Sequence, residues 1–346
     1  MGLKEFVAKR IVTGFITLIL IIIANFILFR LPSFISGIDP VELYGIALLQ
    51  SGATGGGSNP IDIVFRIIAF RKRWGLPSLN APVGVWMDHF FKYFINMLTF
   101  NFGESYLTPK GDVATLLIVR FPITLAYTIP ATLLSLFIGI YIGVRIGAKP
   151  GSKLDITFMT IAMIMISIPT FWLQILFKYA FVWGTGLWPV TGGTSSYPLV
   201  YDPLLSVVDL IYMMTLPIVT LVMTGFPGWM ILMRNSLIDV MSEDYIITAR
   251  AKGLDEETVL YKHAFRNAIL PVVTSIVLSL ALVWTGAIIT ETIFNISGVG
   301  QLYWLSITSF NYPVMEMLFY FMALSIVFAN IIADVSYALL DPRVQY

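Results

Sequence analysis

Six stretches of this chain run for 17 to 24 residues without one charged side chain: Ile11–Phe29, Phe121–Val144, Ile156–Phe177, Leu210–Met233, Ala268–Thr290 and Met317–Ala333. Wound as α-helix, the first alone covers about 29 Å, close to the hydrocarbon thickness of a bilayer. The runs are continuous rather than alternating, which favours helices over barrel strands. Only 12% of the 346 residues are charged and 58% are apolar or aromatic, whereas soluble domains carry roughly 25% charge. The expected fold is therefore all-α and polytopic, with six transmembrane helices at about 121–144, 156–177, 210–233, 268–290 and 317–333 after the first. The last run is the shortest and borrows flanking residues such as Tyr337.

Lys4, Lys9 and Arg10 precede the first run as they would in a signal peptide. The run is long for that role, and Phe29-Arg30-Leu31-Pro32 offers no small-residue cleavage site, so residues 1–30 read as a retained first helix with its cytoplasmic lead. Basic residues then alternate between loops. Arg145, Lys149 and Lys153 occupy one short loop, and Arg234, Arg250, Lys252, Lys262 and Arg266 occupy the 234–267 loop. The 178–209 loop has only Lys178, and the 291–316 loop has no Lys or Arg. Both termini, including 342–346, are thus expected in the cytoplasm of a cell-membrane protein. Residues 31–115 then form an external segment. It holds a flexible stretch, Ser51–Asn59, and enough aromatic surface (Trp74, Trp86, Phe90, Phe91, Tyr93, Phe94) for a folded cap over the helices. Residues 116–341 form the core.

Several functions are excluded. With 21 Lys and Arg against 20 Asp and Glu, the net charge is +1 and gives no support to a nucleic-acid partner. Without Cys there is no disulfide, thiolate metal site or Cys nucleophile. His89 and His263 are the only histidines, too few for a His-based metal centre. No carboxylate pair or Ser-His arrangement stands out, so the chain is not expected to be an enzyme or to bind a cofactor. No Asp, Glu, His or Arg falls inside the six runs, which leaves proton or sodium coupling unsupported. Glu291 and Asp334 stand at run ends and read as interfacial and hydrated. No phosphate loop is present: Gly147-Ala-Lys-Pro-Gly-Ser-Lys153 has the wrong spacing and joins two spans. Uphill transport would need energy from another polypeptide, docking on the largest cytoplasmic loop.

That loop reads as two short capped helices around one glycine. Ser242 is an expected N-cap, with Glu243 and Asp244 in the first turn. Arg250 and Lys252 close the helix, and Gly253 takes the position that needs positive φ. Asp255 caps the second helix, which ends in Lys262, His263 and Arg266. Ala249, Ala251 and Gly253 keep the corner free of bulk.

Tyr245-Ile-Ile-Thr248-Ala249-Arg250-Ala251-Lys252-Gly253, followed by His263-Ala-Phe-Arg266-Asn267-Ala-Ile-Leu-Pro271, resembles the cytoplasmic coupling loop of binding-protein-dependent ABC importer permeases of the dipeptide and oligopeptide group. The general pattern has Glu-Ala-Ala before the glycine. Here Ile247, Thr248 and Ala249 stand there, a departure usual for the peptide group. Further motifs follow in the group's order: Asn101-Phe-Gly103-Glu-Ser105-Tyr106, Arg120-Phe-Pro122-Ile-Thr124-Leu125, Pro150-Gly151-Ser-Lys-Leu-Asp155, Ser167-Ile-Pro169-Thr-Phe171-Trp172, Trp188-Pro-Val-Thr-Gly-Gly193, Glu291-Thr-Ile-Phe294, Gly298-Val-Gly300, Tyr312-Pro313-Val314 and Leu340-Asp-Pro-Arg343-Val-Gln-Tyr346. The large loop after the first span resembles that of the B-type subunit.

The resemblance implies a type I importer fold and a subunit that hydrolyses nothing itself. It also implies a homologous C-type permease partner, two ATP-binding subunits holding ATP and Mg, and an extracytoplasmic substrate-binding protein, all within membrane lipid. The implied cargo is a peptide, with an oligosaccharide as the alternative. Thr248, Ala249, Arg250, Ala251, Lys252, Gly253, Asp255, His263, Arg266 and Asn267 would form the ATPase-coupling surface.

Within the spans, Thr124, Thr128, Thr132 and Ser135 share one face; this stripe lines the translocation pathway or is a small-residue packing seam. Asn25, Gln174 and Asn330 are polar, and each suits an interhelical hydrogen bond or a substrate contact; Gln174 is grouped with the threonines as a pathway candidate. Pro169, Pro217 and Pro227 shape or hinge their spans. Trp183 and Trp188 suit an interfacial belt. A rival reading of another class is an ATP-independent channel or facilitator, in which the loop is merely structural.

Overall fold

The computed structural model describes residues 3–30, 81–105, 112–188, 203–283 and 287–340, with isolated positions at 65, 68, 72 and 77. Ser51–Asn59, Trp74 and residues 342–346 lie outside the described residues, as does most of the proposed cap. Twelve helices occur among those described: α1 (Leu3–Phe29), α2 (Val83–Leu98), α3 (Val113–Gly147), α4 (Lys153–Ser167), α5 (Thr170–Lys178), α6 (Pro203–Met241), α7 (Asp244–Ala251), α8 (Glu256–Thr258), α9 (Phe265–Leu282), α10 (Ile288–Phe294), α11 (Val299–Thr308) and α12 (Tyr312–Leu340). Helix α5 continues into a π-helical turn at Tyr179–Gly184, and another such turn, Val259–Ala264, joins α8 to α9.

Four of these are long and apolar enough to cross a membrane: Glu5–Phe29, Val113–Gly147, Val208–Met241 and Tyr312–Val335. A fifth span arises if α4 and the segment Thr170–Gly184 count together, although they meet at 87°. Here the expectation of one helix over 156–177 needs correction. Pro169 has no N–H to continue the ladder, and it forces Ile168 into extended backbone (φ −84°, ψ 120°). The expectation over 268–290 is also corrected. Helix α9 ends at Leu282, and α10 starts afresh after Ala287 in extended conformation. Tyr127 OH lies 3.4 Å from the Ala287 N–H and accepts its bond, an alternative partner for a backbone group that left the helix.

Helices α3 and α6 make the most extensive packing among the described elements. Gly139 and Gly143 let the backbones meet: a Cβ at Gly139 would lie 2.5 Å from Trp229 Cβ and 2.7 Å from the Phe226 carbonyl. In lipid, where burial of apolar side chains gives little drive, such close small-residue contact is what holds helices together. At the end of this seam Arg234 grips Asp155 with two hydrogen bonds, 2.5 and 2.7 Å. Ser152 caps α4 by accepting from Asp155 N, and Gly151 N donates to the Asp155 carboxylate.

Helix α1 lies along α12, and α2 packs across the end of α1. Trp86, Tyr93 and Met97 of α2 share a buried cluster with Ile22, Phe26, Met317 and Tyr320. Asn25 donates to the Glu316 carbonyl at 2.9 Å, the interhelical role expected for it. Asn330 is exposed in a groove of about 330 Å³ between α1 and α12. Trp183 is exposed, while Trp188 stacks on Tyr212 and donates to its carbonyl.

Candidate functional site

The elbow of residues 242–267 is built as the capping signals imply, with one correction. Glu243 and not Ser242 occupies the cap of α7, and the Ser242 hydroxyl donates backwards to Asp239 O at 2.6 Å. Because α6 runs on to Met241, Ser242 still belongs to the turn that ends α6. Gly253 has φ +80°, and its N–H donates to Arg250 O at 2.9 Å. A side chain is strained there by backbone alone. Among the described residues, no atom beyond Gly253 and its two chain neighbours lies within 4 Å of where a Cβ would stand, so the corner is open. Arg250 reaches over it to Glu256 with two hydrogen bonds, 2.9 and 3.2 Å. Asp255 caps α8 by accepting from Thr258 N at 2.9 Å. Bonds from the Thr258 hydroxyl and N–H hold its carboxyl below the usual carboxylate range.

Thr248, Arg250, Ala251, Lys252, Gly253, Asp255, Arg266 and Asn267 are exposed, and His263 is half-buried. Ala249 departs from the expected surface set: with Ile246 it is buried and belongs to a cluster with Leu237, Val259, Ala264 and Ala268. Asn267 donates to Tyr245 OH at 2.8 Å, joining the first residues of α9 to α7. Ser236 donates to Ala268 O at 2.6 Å, joining α6 to α9. The elbow is thus a stiff unit seated on two long helices, with Tyr245, Ile247, Leu254 and Tyr261 exposed around it.

The four pathway candidates divide. Thr128 and Thr132 line a cavity of about 350 Å³ with Ser135, Gly225, Trp229 and Ser279, between α3, α6 and α9. Thr124 and Gln174 do not line it. Gln174 is buried and donates to Thr290 at 2.9 Å. Thr124 donates to Glu291 Oε1 at 2.8 Å and accepts from Val299 N at 2.8 Å.

Glu291 corrects the expectation of a hydrated span end. It is fully buried, accepts also from Tyr127 OH at 2.9 Å and Gln301 N at 2.8 Å, and so ties α10 and α11 to α3. Gly298 makes room for it: a Cβ there would lie 2.5 Å from both Glu291 Oε2 and Thr124 Oγ1. Asp334 is partly exposed and pairs with Arg10 at 3.1 Å.

A second buried cluster escaped the sequence reading because Arg30 and Glu316 lie just outside the runs and His89 lies far from any of them. Arg30 holds Glu316 at 2.6 and 2.8 Å, and its Nη1 lies 3.1 Å from His89 Nε2. Since Arg only donates, that nitrogen is the acceptor and the imidazole is neutral. Burial first, then Arg30 and Lys92, lower the His89 pKa to about 4. Among the described residues no group of three or more His, Cys, Asp or Glu is placed to hold a metal ion.

These features define an all-helical membrane protein with a stiff elbow between two long helices, the architecture of a transport subunit driven by a partner. Residues 135–346 match the family of binding-protein-dependent transport system inner membrane components, and the chain belongs to that family. It is a multi-pass inner-membrane protein, the permease subunit of an ABC importer and not itself an ATPase, which sets aside the channel reading. It is 34% identical over 269 residues to the oligopeptide transport system permease protein AppB of Bacillus subtilis, covering 78% of this chain and 83% of that one. It is 31% identical to the dipeptide transport system permease protein DppB of the same organism, covering 73% and 77%. A putative peptide transport system permease protein of Brucella suis is 30% identical across 98% of both chains. Members of this family work with ATPases and a binding protein.

Proposed function

We propose that this permease passes peptides, and that the 242–267 elbow receives the stroke of the ATPase subunits. The open, left-handed corner at Gly253, braced by Arg250 and Glu256, carries the coupling reading. The oligopeptide and dipeptide transport named for the relatives supports a peptide cargo over an oligosaccharide. The chain would cross the membrane six times with both termini in the cytoplasm, pair with a C-type permease, and meet the binding protein through its external face, where residues 31–115 contribute a cap. ATP and Mg stay with the two ATPase subunits. Thr128 and Thr132 would face the moving substrate. Thr124 and Gln174, spent on buried partners, would shape the pathway from behind.

The test is Gly253→Trp in the assembled complex. The spans should still insert, because insertion depends on hydrophobicity far from the loop. ATP hydrolysis stimulated by loaded binding protein should fall sharply, together with transport. Full stimulated hydrolysis and transport in this variant would overturn the elbow as the coupling surface. Peptide and oligosaccharide panels, compared for their ability to stimulate hydrolysis, decide the cargo separately.

A further inference from the structure

Helix α2 has three faces. Trp86, His89, Tyr93 and Met97 are buried against the protein. Asp88, Lys92 and Asn96 form a narrow polar strip, with Lys92 paired to Asp88 at 2.7 Å. Val83, Met87, Phe91 and Ile95 recur every fourth residue and are 55–63% exposed. At about 100° per residue this apolar stripe sweeps roughly 120° of the helix. A face of that kind implies a partner.

The level at which α2 sits identifies it. Phe26 lies three residues inside the end of the uncharged run Ile11–Phe29, about 4.5 Å down the helix axis. Its ring is 5.0 Å from Phe90, 5.3 Å from Tyr93 and 5.9 Å from His89. Phe90 in turn lies 5.7 Å from Phe91 and 6.1 Å from Phe94. An aromatic surface therefore runs without a break from inside the first span to the exposed stripe. Beside Phe26, Ile27 and Leu28 are themselves exposed, as the lipid side of a span is.

We propose that α2 is an interfacial membrane helix. Val83, Met87, Phe91 and Ile95 sink among phospholipid acyl chains, while Asp88, Lys92 and Asn96 turn to headgroups and water. The partner of this surface is the lipid monolayer, and α2 is the part of the 31–115 segment that anchors it there. The inference rests on the membrane placement of α1 and holds for either orientation of the termini.

The chain has no cysteine, so single cysteines can carry a nitroxide in the whole complex, reconstituted in phospholipid nanodiscs with the other subunits' cysteines removed. Met87→Cys, Phe91→Cys and Ile95→Cys are compared with Asp88→Cys and Asn96→Cys for collision with oxygen and with a water-soluble nickel chelate. The stripe should favour oxygen several-fold more than the strip does. Equal nickel access on both would mean a water-facing cap, and exclusion of both probes from the stripe would mean a protein partner; either overturns the proposal. Phe15→Cys, exposed in mid-α1, is the control: nickel access there would show that the span placement itself has failed. A photoactivatable phospholipid on the unmodified chain gives a reading without substitution. It should label 83–98 at Met87, Phe91 or Ile95, and absence of label there counts against the helix being interfacial.

Discussion

Adding one methyl group at Gly298 should disable the lock between α3 and the α10–α11 pair. Gly298 has φ −93° and ψ −167°, backbone that any residue adopts, so the penalty is contact and not strain. A Cβ there would meet Glu291 Oε2 and Thr124 Oγ1 at 2.5 Å and Glu291 Cδ at 2.6 Å. Relief to an ordinary van der Waals distance moves the carboxyl or the hydroxyl by roughly 1 Å. The bonds from Thr124 to Glu291 and from Gln301 N to Glu291, both 2.8 Å, then stretch beyond hydrogen-bond range. Each buried polar group left unsatisfied costs about 1–3 kcal/mol, so two of them put Gly298→Ala near 3 kcal/mol. For a chain of this size, with an unfolding entropy of about 2.1 cal/mol/K per residue, that is a loss of about 4 °C in the unfolding midpoint, read on the purified complex in nanodiscs. Glu291→Ala should cost at least as much, and the double variant clearly less than the sum, because both act on one network. A Gly298→Ala complex melting within about 1 °C of wild type would refute the lock.

Other consequences follow from the remaining buried charges. Asp155→Ala leaves Arg234 without its bidentate partner at the end of the α3–α6 seam and should cost about 2–4 kcal/mol; adding Arg234→Leu should recover part of that loss in thermal unfolding. His89 has a folded pKa of about 4 against 6.5 when unfolded. The unfolded chain binds the extra proton between those values, so stability falls as pH drops from about 6.5 to about 4, by up to about 3 kcal/mol. His89→Gln, which keeps an acceptor for Arg30, should flatten that dependence in hydrogen exchange of α2, and an unchanged pH profile would remove His89 as its source.

Periodicity and caps made much of this molecule legible, and the reason is locality. An uncharged run of about twenty residues announces a membrane-length apolar segment without help from any other part of the chain, although two of the six runs are each broken into two helices. Gly253 and Asp255 are equally local: a positive φ after a helix and a carboxylate cap are set by the residues within one turn. Ser242 shows the limit of that logic. It is a good capping residue in the right neighbourhood, yet α6 continues to Met241 and leaves Ser242 to bond backwards, while Glu243 takes the cap. Which of two adjacent polar residues caps a helix depends on where the preceding helix lets go.

The buried polar network was not legible, because its partners are far apart in sequence. Thr124 meets Glu291 across 167 positions and Arg30 meets Glu316 across 286. Read singly, a carboxylate at a run end looks hydrated, since burying it alone costs several kcal/mol. What lifts that cost is a set of donors arriving from other helices, and pattern within one segment carries no trace of them. One trace does exist in Gly298-Val-Gly300, seven residues beyond Glu291. Glycine at 298 has no conformational reason in its backbone angles, so the reason has to be space, and the space is filled by Glu291. The same argument explains the divided fate of the threonine stripe. Thr124, Thr128 and Thr132 recur at helical spacing, but only the stretch of α3 beyond the lock is free to face a cavity. A periodic stripe predicts which face of a helix is alike; what that face meets changes along its length as neighbouring helices begin and end.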